Sequence, residues 1–176
     1  NGYASDLSEE VSAMPSVTPG RIFVTNTYSS GARSLYNAIS KANQLSQSDT
    51  ITFQVEANSV ISNSFELPVI SGNYTIIDGD MDGNGTPDIR LEGYHPYNVL
   101  TITSSNNMIQ GLVIGSNYST GGGNCAILIT GADAHNNKII GNYIGTNMTG
   151  TADGTTGRGI LIDDGAHHNW IGDGTL

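Results

Sequence analysis

Short runs of alternating apolar and polar residues recur along this chain about every thirty residues. The segment Asn107-Met-Ile-Gln-Gly-Leu-Val-Ile-Gly115 aligns with Asn137-Lys-Ile-Ile-Gly-Asn-Tyr-Ile-Gly145 at an offset of 30. A third copy opens at Asn169-Trp-Ile171, offset 32, with its glycine one place early at Gly172. Between these lies a second matching pair, Cys125-Ala-Ile-Leu-Ile-Thr130 and Arg158-Gly-Ile-Leu-Ile-Asp163. Each pair is followed by Ala-His, at Ala134-His135 and Ala166-His167. Upstream, Asn98-Val-Leu-Thr-Ile-Thr103 resembles the Ile-Leu-Ile runs, and Ile77-Asp-Gly79 sits 32 residues before Ile109-Gln-Gly111. Repetition at such a period marks a solenoid, in which each repeat buries its apolar face against its neighbours.

Runs of four to six alternating residues separated by Gly and Asn turns read as short strands. The pattern therefore predicts an all-β, right-handed parallel β-helix, with one repeat per coil and equivalent strands stacked about 4.8 Å apart. Leu100, Ile127 and Ile160 would form one interior column, and Ile102, Ile129 and Ile162 another. Asn107, Asn137 and Asn169 recur at one corner, either as an amide ladder between coils or simply as turn formers. From Ser29 to Leu45 the spacing of Leu35, Ala38, Ile39, Ala42 and Leu45 is helical, which predicts an amphipathic N-terminal capping helix. The expected organisation is a flexible leader or linker over 1–20, a cap over 21–50, and coils over 51–176. The chain stops at Gly174-Thr-Leu176 just after a coil has begun, so that end is expected to be open or truncated.

Composition narrows the class. Only 12% of residues are charged and 23 of 176 are glycine, which disfavours a helical domain. Clustered Ile, Leu and Val argue against disorder. The net charge of −10 would repel nucleic acid, and no apolar run has membrane-spanning length. Cys125, the sole cysteine, excludes an internal disulfide and reads as a small buried hydrophobe rather than a reactive thiol.

Two segments carry a family resemblance. Val24-Thr-Asn-Thr-Tyr-Ser-Ser-Gly-Ala-Arg-Ser-Leu-Tyr-Asn-Ala-Ile-Ser-Lys-Ala-Asn43, followed by Asp49-Thr-Ile-Thr-Phe53, resembles the N-terminal cap of secreted parallel β-helix repeat proteins. Gly141-Asn-Tyr-Ile-Gly-Thr-Asn-Met-Thr-Gly-Thr151 resembles their repeat signature. The resemblance implies a pectate-lyase-like fold and a secreted, extracellular or cell-surface location. It does not imply lyase activity, because that fold carries lyases, hydrolases, adhesins and structural pieces alike.

Five acids, Asp78, Asp80, Asp82, Asp88 and Glu92, fall within fifteen residues. In Asp80-Met-Asp82-Gly-Asn84-Gly-Thr86-Pro-Asp88, oxygen-bearing residues occupy positions 1, 3, 5, 7 and 9, with Gly85 at the sixth place. That spacing suits a loop wrapped around a hard cation, so Ca²⁺ is the expected cofactor. Asp80, Asp82 and Asn84 would supply side-chain oxygens, Thr86 its backbone carbonyl, and Asp88 a carboxylate directly or through water. The twelfth position is Leu91, and Glu92 falls one late, so the loop departs from the EF-hand. The competing reading is a polar turn.

Catalytic machinery is sparse. Of the solenoid cations Arg90, Lys138 and Arg158, Arg90 is nearest the acidic loop, but guanidinium is a poor base and a salt bridge to neighbouring acids is expected instead. The best hydrolase candidate is Asp133, Asp163 and Asp164 with His167, His168 and His135 nearby. These residues lie in turns, and stacked His135 and His167 are a weak metal pair. Leu128 and Leu161 should point outward as an apolar stripe, unless loop 116–124 or 146–157 crosses it. Sequons at Asn73, Asn84, Asn117 and Asn147 match chance for this composition. The expectation is a non-catalytic extracellular β-helix, an adhesin, scaffold or head-to-tail self-assembling unit. Its partners would be other copies or surface polysaccharide. The alternative is a polysaccharide-binding module, or a fragment of a polysaccharide lyase or glycoside hydrolase.

Overall fold

The computed structural model describes residues 20–45, 47–93, 96–116, 124–151 and 157–172. The chain winds through three parallel sheets in turn. The first holds β1 (Gly20–Val24), β2 (Asp49–Phe53), β4 (Thr75–Asp78), β7 (Met108–Gln110), β10 (Lys138–Ile140) and β13 (Trp170–Ile171). The second holds β3 (Ser59–Ser62), β5 (Ile89–Gly93), β8 (Leu112–Ser116) and β11 (Tyr143–Ile144), and the third β6 (Leu100–Ile102), β9 (Cys125–Thr130) and β12 (Arg158–Asp163). Every strand pairs only with its equivalents on adjacent rungs, and all these pairings are parallel. This is a β-solenoid.

Register places like side chains in columns. Leu100, Ile127 and Ile160 are successive partners, as are Ile102, Ile129 and Ile162. In the first sheet Ile51, Ile77, Ile109 and Ile139 stack inward and are at most 2% exposed. Each such isoleucine contributes roughly 1.5–3 kcal/mol by leaving water. Ile61, Leu91 and Ile114 repeat the arrangement in the second sheet. Strands this short bury enough only because the rungs above and below cover both edges.

The corner before the first sheet is a two-residue device. Tyr74, Asn106, Asn136 and His168 all adopt left-handed backbone, with φ of 62, 60, 56 and 52°. Asparagine tolerates that region better than most side chains. The residue after each turn points inward. Asn137 Oδ1 accepts from the Asn107 N–H at 2.9 Å and from Asn107 Nδ2 at 3.0 Å. Asn169 Oδ1 receives the same pair of bonds from Asn137, at 2.9 and 3.0 Å. Asn107 Oδ1 accepts from the Thr75 N–H at 2.8 Å, and Asn137 Nδ2 also donates to the Ser104 carbonyl at 2.9 Å. The second asparagine of each dyad is therefore a ladder rung, while the first is the turn former.

The helix is shorter than its spacing suggests. It runs over α1 (Leu35–Ala42), starting where the Ser34 hydroxyl accepts from the Asn37 N–H at 3.3 Å. Residues before Ser34 form a turn with Arg33 at φ 62°. At the other end the Asn43 side chain turns the chain away, donating to the Val69 carbonyl and accepting from the Ser71 and Gly72 N–H groups. Leu45 is consequently 41% exposed rather than packed. Leu35, Ala38, Ile39 and Ala42 join the core, so α1 fills the place that second- and third-sheet strands occupy on later rungs. It is a lid. The stretch expected as leader, 1–20, lies outside the described residues but for Gly20, which opens β1.

Asp49 is an exception to this order. It is 1% exposed, lies against Gly20, and neither carboxylate oxygen has a hydrogen-bonding partner. Burial raises its pKa above the ordinary value, and the nearby Gln47 amide opposes that only in part.

Asn137 is fully buried, so Asn137→Ala orphans donors and acceptors on two neighbouring rungs. A loss of about 3 kcal/mol in urea unfolding is expected; a loss under 1 kcal/mol would show that the ladder is incidental. For Asp49 the folded state binds its proton more tightly than the unfolded chain. Stability therefore falls as pH rises from the unfolded toward the folded pKa. Asp49→Asn is expected to raise the melting temperature at pH 7, with the gain shrinking on acidification. A gain independent of pH would contradict this origin.

Candidate metal centre

Between the first and second sheets the rung of β7 and β8 turns through Gly111 alone, whereas the rung above it spends residues 79–88 at the same corner. Three backbone bonds pin this insertion. The Asp88 N–H donates to the Gly79 carbonyl at 3.1 Å and closes the loop. The Gly79 N–H donates to the Gln110 carbonyl below at 3.0 Å, and Asn58 above donates to the Asp88 carbonyl at 2.7 Å. Gly79 and Gly111 make the close stacking possible. A Cβ on Gly79 would strike the Gly111 carbonyl and Leu112, and one on Gly111 would strike Asp80. The loop is thus seated directly on the next rung.

Inside the loop the acids organise the backbone. Asp80 Oδ1 accepts from the Gly83 and Asn84 N–H groups at 2.9 and 3.1 Å, and its Oδ2 from Gly85 at 2.8 Å. Asp82 Oδ1 accepts from the Asn84 N–H at 3.1 Å, and Asp88 Oδ2 from Met81 at 2.8 Å. Gly83 and Gly85 sit at φ 73 and 83°, which side chains resist. The result brings carboxylate oxygens of Asp80, Asp82 and Asp88 within 4.8 Å of one another. Asn84 and Thr86 are engaged differently. Asn84 Oδ1 accepts from both the N–H and the hydroxyl of Thr86, and Asn84 Nδ2 donates to Asp82 Oδ2 at 2.8 Å.

Like charges about 4 Å apart near a protein surface repel by roughly 4 kcal/mol before salt screening. No lysine or arginine among the described residues pairs with these three acids. The donors are all oxygen, without thiolate or imidazole, which suits Ca²⁺ or Mg²⁺ rather than a softer ion. In chemistry and spacing the residues fit such a cation.

Glu92 belongs elsewhere. It accepts from Arg90 Nε at 2.8 Å and from the Ser62 hydroxyl at 3.1 Å, while Arg90 also donates to the Thr146 carbonyl at 2.9 Å. Arg90, 9% exposed, is a buried clamp across rungs. As expected, it is salt-bridged to a neighbouring acid.

Of the hydrolase candidates, Asp133 and Asp164 lie in turns, whereas Asp163, expected in a turn, is the last residue of β12. Asp133, Asp163, Asp164 and His167 are all exposed, and no three of them bring ligating atoms within 4.8 Å of one another. His135 and His167 are partners in an isolated parallel bridge, with ring centroids 5.1 Å apart. Cys125 is 2% exposed, and burial pushes its thiol pKa up against the opposing charge of Arg158, which disfavours the thiolate. Leu128 and Leu161 are half-buried in one column. Parts of the loops that were candidates to cross them, 117–123 and 152–156, lie outside the described residues, as does Asn117. Asn84 and Asn147 use their side-chain carbonyls in local bonds, whereas that of Asn73 accepts from the Ser105 N–H on the next rung.

Sequence reasoning missed a second set of amides. Asn142 accepts from the Leu112 N–H and Asn98 from the Cys125 N–H, each joining adjacent rungs. Each stands alone in the sequence, without a repeated dyad to mark it. Among the described residues no helix is long and apolar enough to cross a membrane. Comparison with protein-family models, curated proteins and solved structures gives no match, so a functional reading rests on geometry and chemistry.

Proposed function

We propose that this chain is a non-catalytic structural β-solenoid, working outside the cell or on its surface, whose 80–88 loop is stapled by Ca²⁺. The observation that carries the reading is the convergence of Asp80, Asp82 and Asp88 without a basic partner among the described residues. The cation would bridge oxygens of Asp80, Asp82 and Asp88 and relieve their repulsion, with the Asn84–Thr86 pair shaping the loop's outer turn. Extracellular modules of this kind bind calcium at about 10⁻⁴–10⁻³ M, so such a staple would be loaded outside cells. The family resemblance of the cap and repeat segments agrees with secretion and a pectate-lyase-like lineage. The exposure of Asp133, Asp163, Asp164 and His167, outside any enclosed cleft, is the support for scaffolding or adhesion over hydrolysis.

Self-association belongs to the same proposal. Ile162 and Ile171 on the last described rungs are 40 and 46% exposed, whereas Ile129 and Ile139 in the same columns are covered. Another rung would bury them, whatever chain supplies it. The lid α1 closes the opposite end, so head-to-tail stacking requires its displacement.

The test is thermal and urea unfolding of the full chain in calcium and in chelator. At free calcium a hundredfold above Kd, stabilisation of about 2.7 kcal/mol is expected, and Asp82→Ala should remove the difference. Identical curves in calcium and chelator would refute the staple. Sedimentation velocity on the same samples checks association, and a monomer at every concentration would remove self-assembly from the proposal.

A further inference from the structure

The chain has only six lysines and arginines against sixteen acids, yet three of the six, Arg21, Arg33 and Lys41, line one cavity of about 400 Å³ beside the lid. No acidic side chain lines it. None of the three cations forms an ion pair among the described residues, and all three are exposed. In a protein of net charge −10, leaving half the basic residues together and unneutralised raises a local positive potential against the general field.

The cluster is built by the fold. Arg21 and Phe23 alternate outward along β1, the end strand of its sheet. Arg33, Asn37 and Lys41 follow one another at intervals of four, the spacing that aligns side chains along a helix. Arg33 precedes α1, but its position is held. Its carbonyl accepts from the Thr25 N–H at 3.0 Å, its N–H donates to Asn37 Oδ1 at 3.3 Å, and Asn26 Nδ2 donates to the Ala32 carbonyl at 3.0 Å. Asn37 Nδ2 and the Gln54 amide, without hydrogen-bonding partners among the described residues, also line the cavity. Phe23, 40% exposed, supplies an apolar face. The volume lies within the usual range for ligand sites.

We propose that this cavity binds an oxyanion group, such as phosphate, sulfate or carboxylate, held by the Arg21 and Arg33 guanidiniums and the Lys41 ammonium. Guanidinium forks match planar and tetrahedral oxyanions, and charge-assisted bonds are the stronger kind. The site is independent of the acidic loop, which lies between β4 and β5.

Titration calorimetry on the full chain, stripped of calcium on a chelating resin beforehand so that neither calcium nor a soluble polycarboxylate is present, tests the assignment. The probes are inorganic phosphate, inorganic sulfate, a uronic-acid trisaccharide and a neutral trisaccharide. Binding of the charged probes but not the neutral one is expected, weakening as salt rises. Equal affinity per charge would mean that the free ion suffices, whereas a tighter uronate would show that Phe23 and the amides also contribute. Replacing one cation, as in Arg33→Gln, should weaken binding about tenfold, and the triple variant Arg21→Gln, Arg33→Gln, Lys41→Gln should abolish it without lowering the melting temperature, because the replaced side chains are exposed. Absence of binding by every charged probe would overturn the proposal, and so would unchanged binding by a folded triple variant.

Discussion

Everything in this fold depends on one rung supplying the hydrogen-bonding partners and the core of the next. A strand of three residues such as β7 has no stability of its own. Between β4 and β10 it gains partners on both edges, and Ile109 gains Ile77 above and Ile139 below. The same dependence governs the polar interior. A buried amide is costly unless satisfied, and the side-chain carbonyls of Asn107 and Asn137 are satisfied by the rungs around them. Apolar columns supply the driving force, whereas the ladder fixes the register, because a slip by one residue would bury unpaired amides and expose isoleucine.

That logic explains which parts were readable in advance. Rungs from Asn107 onward announce themselves through the Asn-Asn dyads and the Gly that follows. The earlier rungs were faint for a physical reason. At Thr75 the ladder needs only a backbone N–H to meet Asn107, so no asparagine is required there, and Tyr74 takes the left-handed turn in place of asparagine. The register step also shortens, with Asp49 pairing to Thr75 but Ile76 to Met108, which blurs any fixed period. The lid was legible in its apolar spacing. Its limits were not, since they are set by the Ser34 cap and by long-range bonds from Asn43.

The two charged sites differ in the same way. The acidic loop is a local motif, and spacing alone identified Asp80, Asp82 and Asp88; the mutual bonding of Asn84 and Thr86 needed coordinates. The cationic cavity is assembled from β1, the turn before α1, and α1 itself. Its only local trace is the four-residue spacing from Arg33 to Lys41. The solenoid thus carries opposite charge at two places, an acidic loop on one corner and a basic cavity at the lid.

The central claim, that rungs stack in parallel, is open to direct measurement by scalar couplings across hydrogen bonds in NMR. The Lys138 amide nitrogen should couple to the Asn107 carbonyl carbon, and the Trp170 amide to that of Asn137, because each donates across a rung at 2.8 Å. Those correlations, about thirty residues apart and with no antiparallel partners, are the expected result. Couplings that instead join neighbouring segments of the sequence as hairpins would contradict the account.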